Sequence, residues 1–548
     1  MALSTSSESQ GGVELPTYKP IARQPQGFDL LRIPGLRRFV RWKHARLVFQ
    51  LPLLALALFV ILDGFFGVQR APRNVATTAV WLHYRGLVVL ALALVGNAFC
   101  AACPLMLTRG ATRRLEWLLP GKLSWPRFLK NKVFVLLLTF FYLFSYEYFD
   151  LWASPWLTAW LAVGYFGAAL VVDTLFKAGT FCRYVCPLGN FNFVFASASP
   201  TQITAVDHDI CRSCEHKPCL QGRYTEAGSE KQAAQSVDAH EMTRRLWEPR
   251  RSFKHPLPLQ TNGNQAAAFI PLSEITNANG AGHFPGCETE LFVPSMQSNM
   301  DCTNCFNCVR ACPYDNVAFT LRAPGWEWSQ APWQKRGRFA LLLFGVVLTF
   351  LGLLNAIAMI GPWFAFAGWI SSTFNTTNEF AVLMTLFSTV VLSGVAVMFG
   401  VSMWADRLGG ASSAPVEAFM RWGYVTVALG FGFWGAHYIF HFLTGALSIF
   451  PVFQHFFANI GLPVDPNWRL SQIVPSRWFF PINAGITAFY TGLAIITAIR
   501  IALRDFGRKG VLAMWPIIGF ILLFAAVSVW VLGQPMEMRG TIFLGPSY

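Results

Sequence analysis

Twelve cysteines are the residues of this 548-residue chain best equipped to do chemistry, and their spacing sorts them. Cys302, Cys305, Cys308 and Cys312, followed by Pro313, read CTNCFNCVRACPYD. This is the C-x2-C-x2-C-x3-C-P spacing of bacterial [4Fe–4S] ferredoxins. Two-residue gaps let successive thiolates turn inward on one tight loop around a corner of a cubane, and the fourth cysteine commonly serves a neighbouring cluster. Zinc is the rival occupant, since it needs only four thiolates and no such proline. A second set, Cys211, Cys214 and Cys219 in DICRSCEHKPC, ends on a wider gap with no x3-C-P after it, so its fourth ligand must come from elsewhere. Cys287, in FPGCETE, is the one cysteine left in this stretch and brings the count to eight, enough for two clusters. Crossed ligation pairs Cys211, Cys214 and Cys219 with Cys312, and Cys302, Cys305 and Cys308 with Cys287. Uncrossed ligation and a free thiol at Cys287 stay open.

The other four cysteines lie at the ends of apolar runs: Cys100 and Cys103 in CAACP, Cys182 and Cys186 in CRYVCP. A proline after the second cysteine ends a helix and turns the chain along the surface. Four thiols converging there suit a third iron–sulfur cluster or another metal. Dithiol redox chemistry and plain packing of small apolar cysteines are the alternatives. The paired motifs, FCAACPLML and FCRYVCPLG, read as a weak internal repeat of two helical hairpins.

The elements that must position these cysteines are apolar helices. The chain is 54% hydrophobic and 13% charged, where soluble domains carry about 25% charged residues. That excludes a purely soluble enzyme, a disordered tail and a secreted disulfide scaffold. Nine runs approach the ~20 residues that cross a bilayer: 47–67, 77–99, 133–152, 156–177, 339–362, 380–403, 422–447, 482–503 and 512–533. With the N-terminus inside, 37 of the 43 Lys and Arg fall in inner segments, so N-in/C-out is expected and the +15 net charge is mostly a topology signal. No removable signal peptide is expected in the first 45 residues. The predicted fold is an all-α polytopic membrane protein of about nine transmembrane helices with an inserted cytoplasmic two-cluster ferredoxin-like α+β domain. Its parts are a basic cytoplasmic tail (1–45), a four-helix membrane region (46–199), the cluster domain (200–336) and a five-helix membrane region (337–548). Residues 220–285, rich in Gln, Asn, Gly, Ala and Pro, read as loops. All twelve cysteines face the reducing side in this topology, which disfavours disulfides.

Polar residues inside the membrane are functional candidates by default. His437 and His441 are four apart, hence on one helix face, and His83 is the other intramembrane histidine. A quinone hydrogen-bonding site, a haem b and helix-packing hydrogen bonds are the three readings. His455 reads as an interfacial loop residue. Asp63, Arg85 and Glu147 read as structural ion pairs, with a proton path as the alternative. Asp173 lies close enough to CRYVCP to tune it. Met536 and Met538 are weak soft-ligand candidates for Cu(I). No P-loop, dinucleotide fingerprint or hydrolase triad is present, and no basic-aromatic motif supports nucleic-acid binding.

CRYVCPLG (182–189) together with CTNCFNCVRACP (302–313) resembles the NapH/NosR-type membrane ferredoxins, a group that includes the CcoG-like proteins. The resemblance covers about residues 46–345. It departs from the family pattern in CAACP, one residue short, in the wide gap before Cys219 and in the long insertion. The family's FMN-binding periplasmic domain and C-terminal extra domain are not seen. The resemblance implies electron transfer between two [4Fe–4S] clusters and the quinone pool, or a soluble or membrane redox partner, in a respiratory or photosynthetic chain. It also implies a bacterial cytoplasmic (inner) membrane, quinol dehydrogenase-like service and a place in a larger complex. The alternative is a copper reductase or assembly factor for a respiratory metalloenzyme. A third class, a cluster-regulated transporter, lacks the paired broken helices that usually signal transport.

Overall fold

The computed structural model describes residues 27–108, 123–176, 179–214, 217–225, 282–296, 298–330 and 338–536. Helices fall on the apolar runs, as lipid demands, because only a helix or a closed barrel satisfies every backbone N–H and C=O there. Six segments are long and apolar enough to cross a bilayer: Leu47–Phe66, Val75–Leu94, Pro155–Leu175, Phe339–Ile357, Glu379–Leu408 and Ser476–Leu532. Tyr424–Gly445 joins them if it and Ile449–Asn459, bent from it by 54°, count as one span. One of the expected nine falls short, and the last expected pair is continuous but for a turn. Val133–Tyr148 is apolar but shorter. Within Ser476–Leu532 the chain turns at Gly507, whose φ of +54° breaks it into Phe479–Phe506 and Gly510–Leu532.

Phe339–Ile357 and Tyr424–Gly445 form the centre of the bundle and bury nearly all their side chains, whereas Leu47–Phe66 and Pro155–Leu175 turn most of theirs outward. The two central helices are tied by Thr349 Oγ1 to the Thr426 carbonyl (2.9 Å) and by Trp434 Nε1 to the Leu348 carbonyl (2.8 Å). Tyr424–Gly445 also packs on Val75–Leu94, where a Cβ at Gly86 would lie 2.4 Å from Cβ of Phe442. That contact needs glycine, as small residues let membrane helices approach closely.

Val75–Leu94 is not a uniform helix. Thr78–Tyr84 widens into a π-helical stretch, and so does Phe181–Val185, which carries Cys182. Such widened turns re-aim side chains and cluster at functional sites. Here they aim Trp81 and Cys182.

Residues 199–330 carry two antiparallel pairs: β1 (Thr201–Ala205) with β4 (Val317–Leu321), and β2 (Arg223–Thr225) with β3 (Gly282–Phe284). Short helices His208–Ser213, Pro218–Gln221 and Asn307–Ala311 hold the cysteines between them. Most of the 220–285 loop region lies outside the described residues. The segment around Pro34–Arg41, assigned to the basic tail by composition, packs into this unit. Leu31 and Val40 share a core with Ile203, Val293, Val317 and Phe319. Arg37 and Arg41 both reach Asp315 (2.5 and 3.2 Å), and Arg46 reaches Glu288 (2.5 Å). Part of the basic charge that signals topology therefore also straps the cysteine unit to the membrane helices.

Candidate functional site

The eight cysteines of residues 200–336 divide into two fours. Cys211, Cys214, Cys219 and Cys312 line one small cavity, together with Lys217, Tyr314 and Val293. Cys287, Cys302, Cys305 and Cys308 line a second, together with Ile203 and Met296. Val293 belongs to both walls, so the two cavities are neighbours. The last cysteine of CTNCFNCVRACP thus sits with the first motif, and Cys287 sits with the second. That grouping is the crossed one. Among the described residues no three His, Cys, Asp or Glu side chains form a site for a single metal ion. Four thiols lining each cavity are a donor set that could hold a cubane or a zinc ion.

The loops pay for this arrangement in backbone conformation. Lys217, Glu290, Asp301, Asn304, Phe306 and Asp315 all have positive φ, a region L residues seldom adopt and that collects at functional sites. The turns aim N–H groups at sulfur. Leu291 N donates to Cys287 Sγ (3.2 Å), Asn304 N to Cys302 Sγ and Asn316 N to Cys312 Sγ (both 3.4 Å). Asn316 Nδ2 donates to Cys211 Sγ at 3.2 Å. Donors of this kind stabilise negative sulfur and set cluster potentials. Burial pushes the thiols of Cys211, Cys302, Cys305, Cys308 and Cys312 above the ordinary range and Cys219 up to about 12; for Cys211, Cys219, Cys302 and Cys308, neighbouring cysteines push the same way. A metal group entering either cavity must displace those protons.

Cys100, Cys103, Cys182 and Cys186 line one end of a much larger cavity of about 250 Å³, the cysteine-side chamber. The helix before each proline ends as expected, at Cys103 and at Cys186, and the proline has a second part. Pro104 and Pro187 open the next helical turn, with Cys103 and Cys186 at the capping position, and Cys186 Sγ accepts from Gly189 N at 3.2 Å. Proline suits a first helical position because its missing N–H would be unpaired there anyway. The rest of the lining is mostly apolar and aromatic, including Tyr84, Tyr142, Trp434 and Tyr438, with Arg85 and Asn192 among the exceptions. Two polar atoms on its lining have no partner, the Tyr165 hydroxyl and Asn192 Oδ1. Asn192 Nδ2 approaches Cys100 Sγ at 3.6 Å, and Cys182 Sγ lies 3.8 Å from Met106 Sδ.

One residue joins this set to the Cys302 loop. Asn97 Nδ2 donates to the Cys302 carbonyl (2.9 Å), while its Oδ1 accepts from Cys100 N (3.4 Å). Lys132 adds a second tie, reaching Asp301 (2.5 Å) and Asn190 Oδ1 (2.7 Å), and Arg183 of CRYVCP donates to the Thr289 carbonyl (3.0 Å). The Cys302 cavity is therefore proximal to the membrane cysteines and the Cys211 cavity distal. Asn97, Asn192, Asn316, Met106 and Tyr165 were not singled out by sequence. Only Asn97, three residues before Cys100, carries a local signal, that of a helix cap.

The intramembrane polar residues separate. His83 has Nδ1 at 2.9 Å from the Thr78 carbonyl and Nε2 at 3.0 Å from the Ala446 carbonyl, so both ring nitrogens are engaged in packing. His437 is fully buried with neither ring nitrogen partnered, and His441 Nε2 is also unpartnered; their rings meet edge-on at 4.7 Å. Helix-packing hydrogen bonds through these nitrogens do not form. The expected ion pairing among Asp63, Arg85 and Glu147 is corrected as well. Asp63 Oδ2 accepts from Val75 N (2.6 Å), Glu147 Oε1 accepts from Asn355 Nδ2 (3.0 Å), and Arg85 stands in an aromatic cage. Each of the two acids accepts from a donor other than Arg85. Asp173 is buried and accepts from Phe181 N (3.4 Å), at the start of the Cys182 turn. His455 lies against Trp468, its Nε2 unpartnered. Met536 bridges by backbone to Ile360, and Met538 lies outside the described residues.

Compared with protein-family models, curated proteins and solved structures, the chain matches none.

Proposed function

We propose that this chain is a membrane-bound electron carrier holding two [4Fe–4S] clusters on its cytoplasmic side and exchanging electrons with a quinone bound in the cysteine-side chamber. In this reading it crosses a bacterial cytoplasmic membrane nine times, N-terminus inside, and serves a respiratory or photosynthetic chain, alone or within a larger complex. The observation that carries it is the sorting of twelve cysteines into three fours in succession, the last opening on an apolar chamber. Bound clusters would supply one-electron redox capacity at a potential tuned by their surroundings. The chain's own residues do the rest. Cys211, Cys214, Cys219 and Cys312 would hold the distal cluster, and Cys287, Cys302, Cys305 and Cys308 the proximal one. The N–H groups of Leu291, Asn304 and Asn316 favour the charged sulfurs, and Ile203, Val293 and Met296 keep water out. Asn97 fixes the proximal loop against Cys100. At the chamber, Tyr165 is placed to donate to a quinone carbonyl and Asn192 Oδ1 to accept from a quinol hydroxyl.

The test is iron and acid-labile sulfide per chain after anaerobic purification, with EPR of the dithionite-reduced sample. About eight iron and two interacting signals are expected. About twelve would add a third cluster on Cys100, Cys103, Cys182 and Cys186. Near-zero iron with zinc present overturns the reading.

The contact between Cys182 Sγ and Met106 Sδ favours one second reading, a copper-handling factor, because paired soft sulfurs suit Cu(I). Copper stoichiometry separates the two: an equivalent of copper lost in Cys182→Ser and in Met106→Leu supports it, and none in the parent chain removes it.

A further inference from the structure

Arg85 stands about halfway along Val75–Leu94, roughly 14 Å of helix from its cysteine end. With Trp81 it lines two cavities at once: the cysteine-side chamber and a second one of about 270 Å³ towards Ala71 and Pro72, the far chamber. Arg85 is 5% exposed. Its guanidinium lies over the rings of Tyr146 (4.3 Å), Trp81 (4.7 Å) and Tyr438 (5.1 Å), and Nη1 donates to the Tyr146 hydroxyl at 3.1 Å. Among the described residues no carboxylate forms an ion pair with it.

A guanidinium keeps its charge in proteins. Taking it out of water is costly, and cation–π contacts offset only part of that cost. Intramembrane arginines accordingly pair with something. The far chamber offers the room for that partner. Arg85 and Tyr146 lie at one end of it, His441 contributes an imidazole whose Nε2 has no partner, and Trp152, Leu82 and Met359 give it apolar walls. Its volume is near the lower end of small-molecule pockets, which suits a body of one or two fused rings.

We propose that the far chamber is a binding site for a ligand presenting a negatively charged oxygen on a small apolar ring body, with Arg85 as the counter-charge and His441 as the second polar contact. This does not rest on the electron-transfer reading, because no cysteine lines the far chamber. The anionic oxygen has two sources: an aromatic carboxylate from water, or an ionised hydroxyquinone from the lipid.

The test uses the full chain in detergent and equilibrium binding of radiolabelled benzoate. Competition is measured with ionised 2-hydroxy-1,4-naphthoquinone, and uncharged 1,4-naphthoquinone and benzyl alcohol are the controls. Saturable binding is expected, with no competition from the uncharged pair. Displacement by hydroxynaphthoquinone at far lower concentration than by unlabelled benzoate assigns the lipid source; preference for benzoate assigns the aqueous one. Ser448→Trp, which fills the far chamber and touches none of the cysteine-side lining, should abolish binding. His441→Ala should weaken it at least about tenfold, the ~1.4 kcal/mol of a polar contact, and it serves alone if the larger variant does not fold. Neither anion binding saturably, uncharged analogues competing equally, or binding unchanged in His441→Ala overturns the proposal.

Discussion

The eight cysteines of residues 200–336 and the four at the membrane edge use the same side chain in opposite settings. The eight surround two tight cavities, on loops whose backbone is held at positive φ and whose N–H groups point at sulfur. The four stand at one end of a chamber of about 250 Å³ whose other walls are mostly aromatic and apolar. A strained, fully determined shell suits a group that stays bound, since the strain persists only where the surroundings over-determine it. A roomy apolar chamber with a few unpartnered polar atoms suits a molecule that comes and goes. In the proposed reading the same element would act as a resident ligand in one region and as part of a docking wall in the other.

The largest expected effect breaks the comparison inside the first region. Cys312→Ser should remove about half of the iron, and the EPR signal it removes should be the one lost in Cys214→Ser. Loss of the Cys302 signal instead would restore uncrossed ligation. Next comes the contrast between regions. Ala162→Trp, which narrows the chamber, should slow re-oxidation of the reduced protein by a soluble quinone about tenfold, ~1.4 kcal/mol in the barrier, with iron content unchanged. Iron falling in parallel would mean that the two regions are not separate. A smaller effect lies at the junction. Asn97→Ala removes a helix cap and the bond to the Cys302 carbonyl. Thermal unfolding should report about 1 kcal/mol lost, and rapid-mixing electron transfer should slow several-fold with both cluster signals retained. The smallest effect sharpens the first region alone. Asn316→Ala deletes the side-chain N–H to Cys211 Sγ, so the distal midpoint potential should fall in a redox titration while the proximal one holds.

Apolar runs of bilayer length announced the helices, because twenty apolar residues in lipid have no other way to satisfy their backbone. The break at Gly507 was legible, because Arg504, Asp505, Arg508 and Lys509 separate the apolar runs 482–503 and 512–533, whereas the helix Ile449–Asn459 beyond the bend after Gly445 was not read. Asp63, Arg85 and Glu147 shared a depth in the sequence reading and so looked like partners. In the fold they face different neighbours, since helix rotation rather than depth decides contact.

The sequence by itself determined which cysteines belong together locally. Gaps of two or three residues are short covalent tethers, and no fold can move Cys302 far from Cys305. Composition determined in the same way that most of the chain is apolar helix. Spacing and cysteine count already led to Cys312 with the Cys211 set and Cys287 with the other, leaving uncrossed pairing open, and the fold groups them that way; tertiary structure decided that Cys100 and Cys182, eighty-two positions apart, share one chamber. It alone decided that Arg85 stands in a wall between two cavities. These contacts join segments separated by tens to hundreds of residues. They are fixed by how helices rotate and how loops dock once the core is packed, and the spacing of residues along the chain holds no record of that.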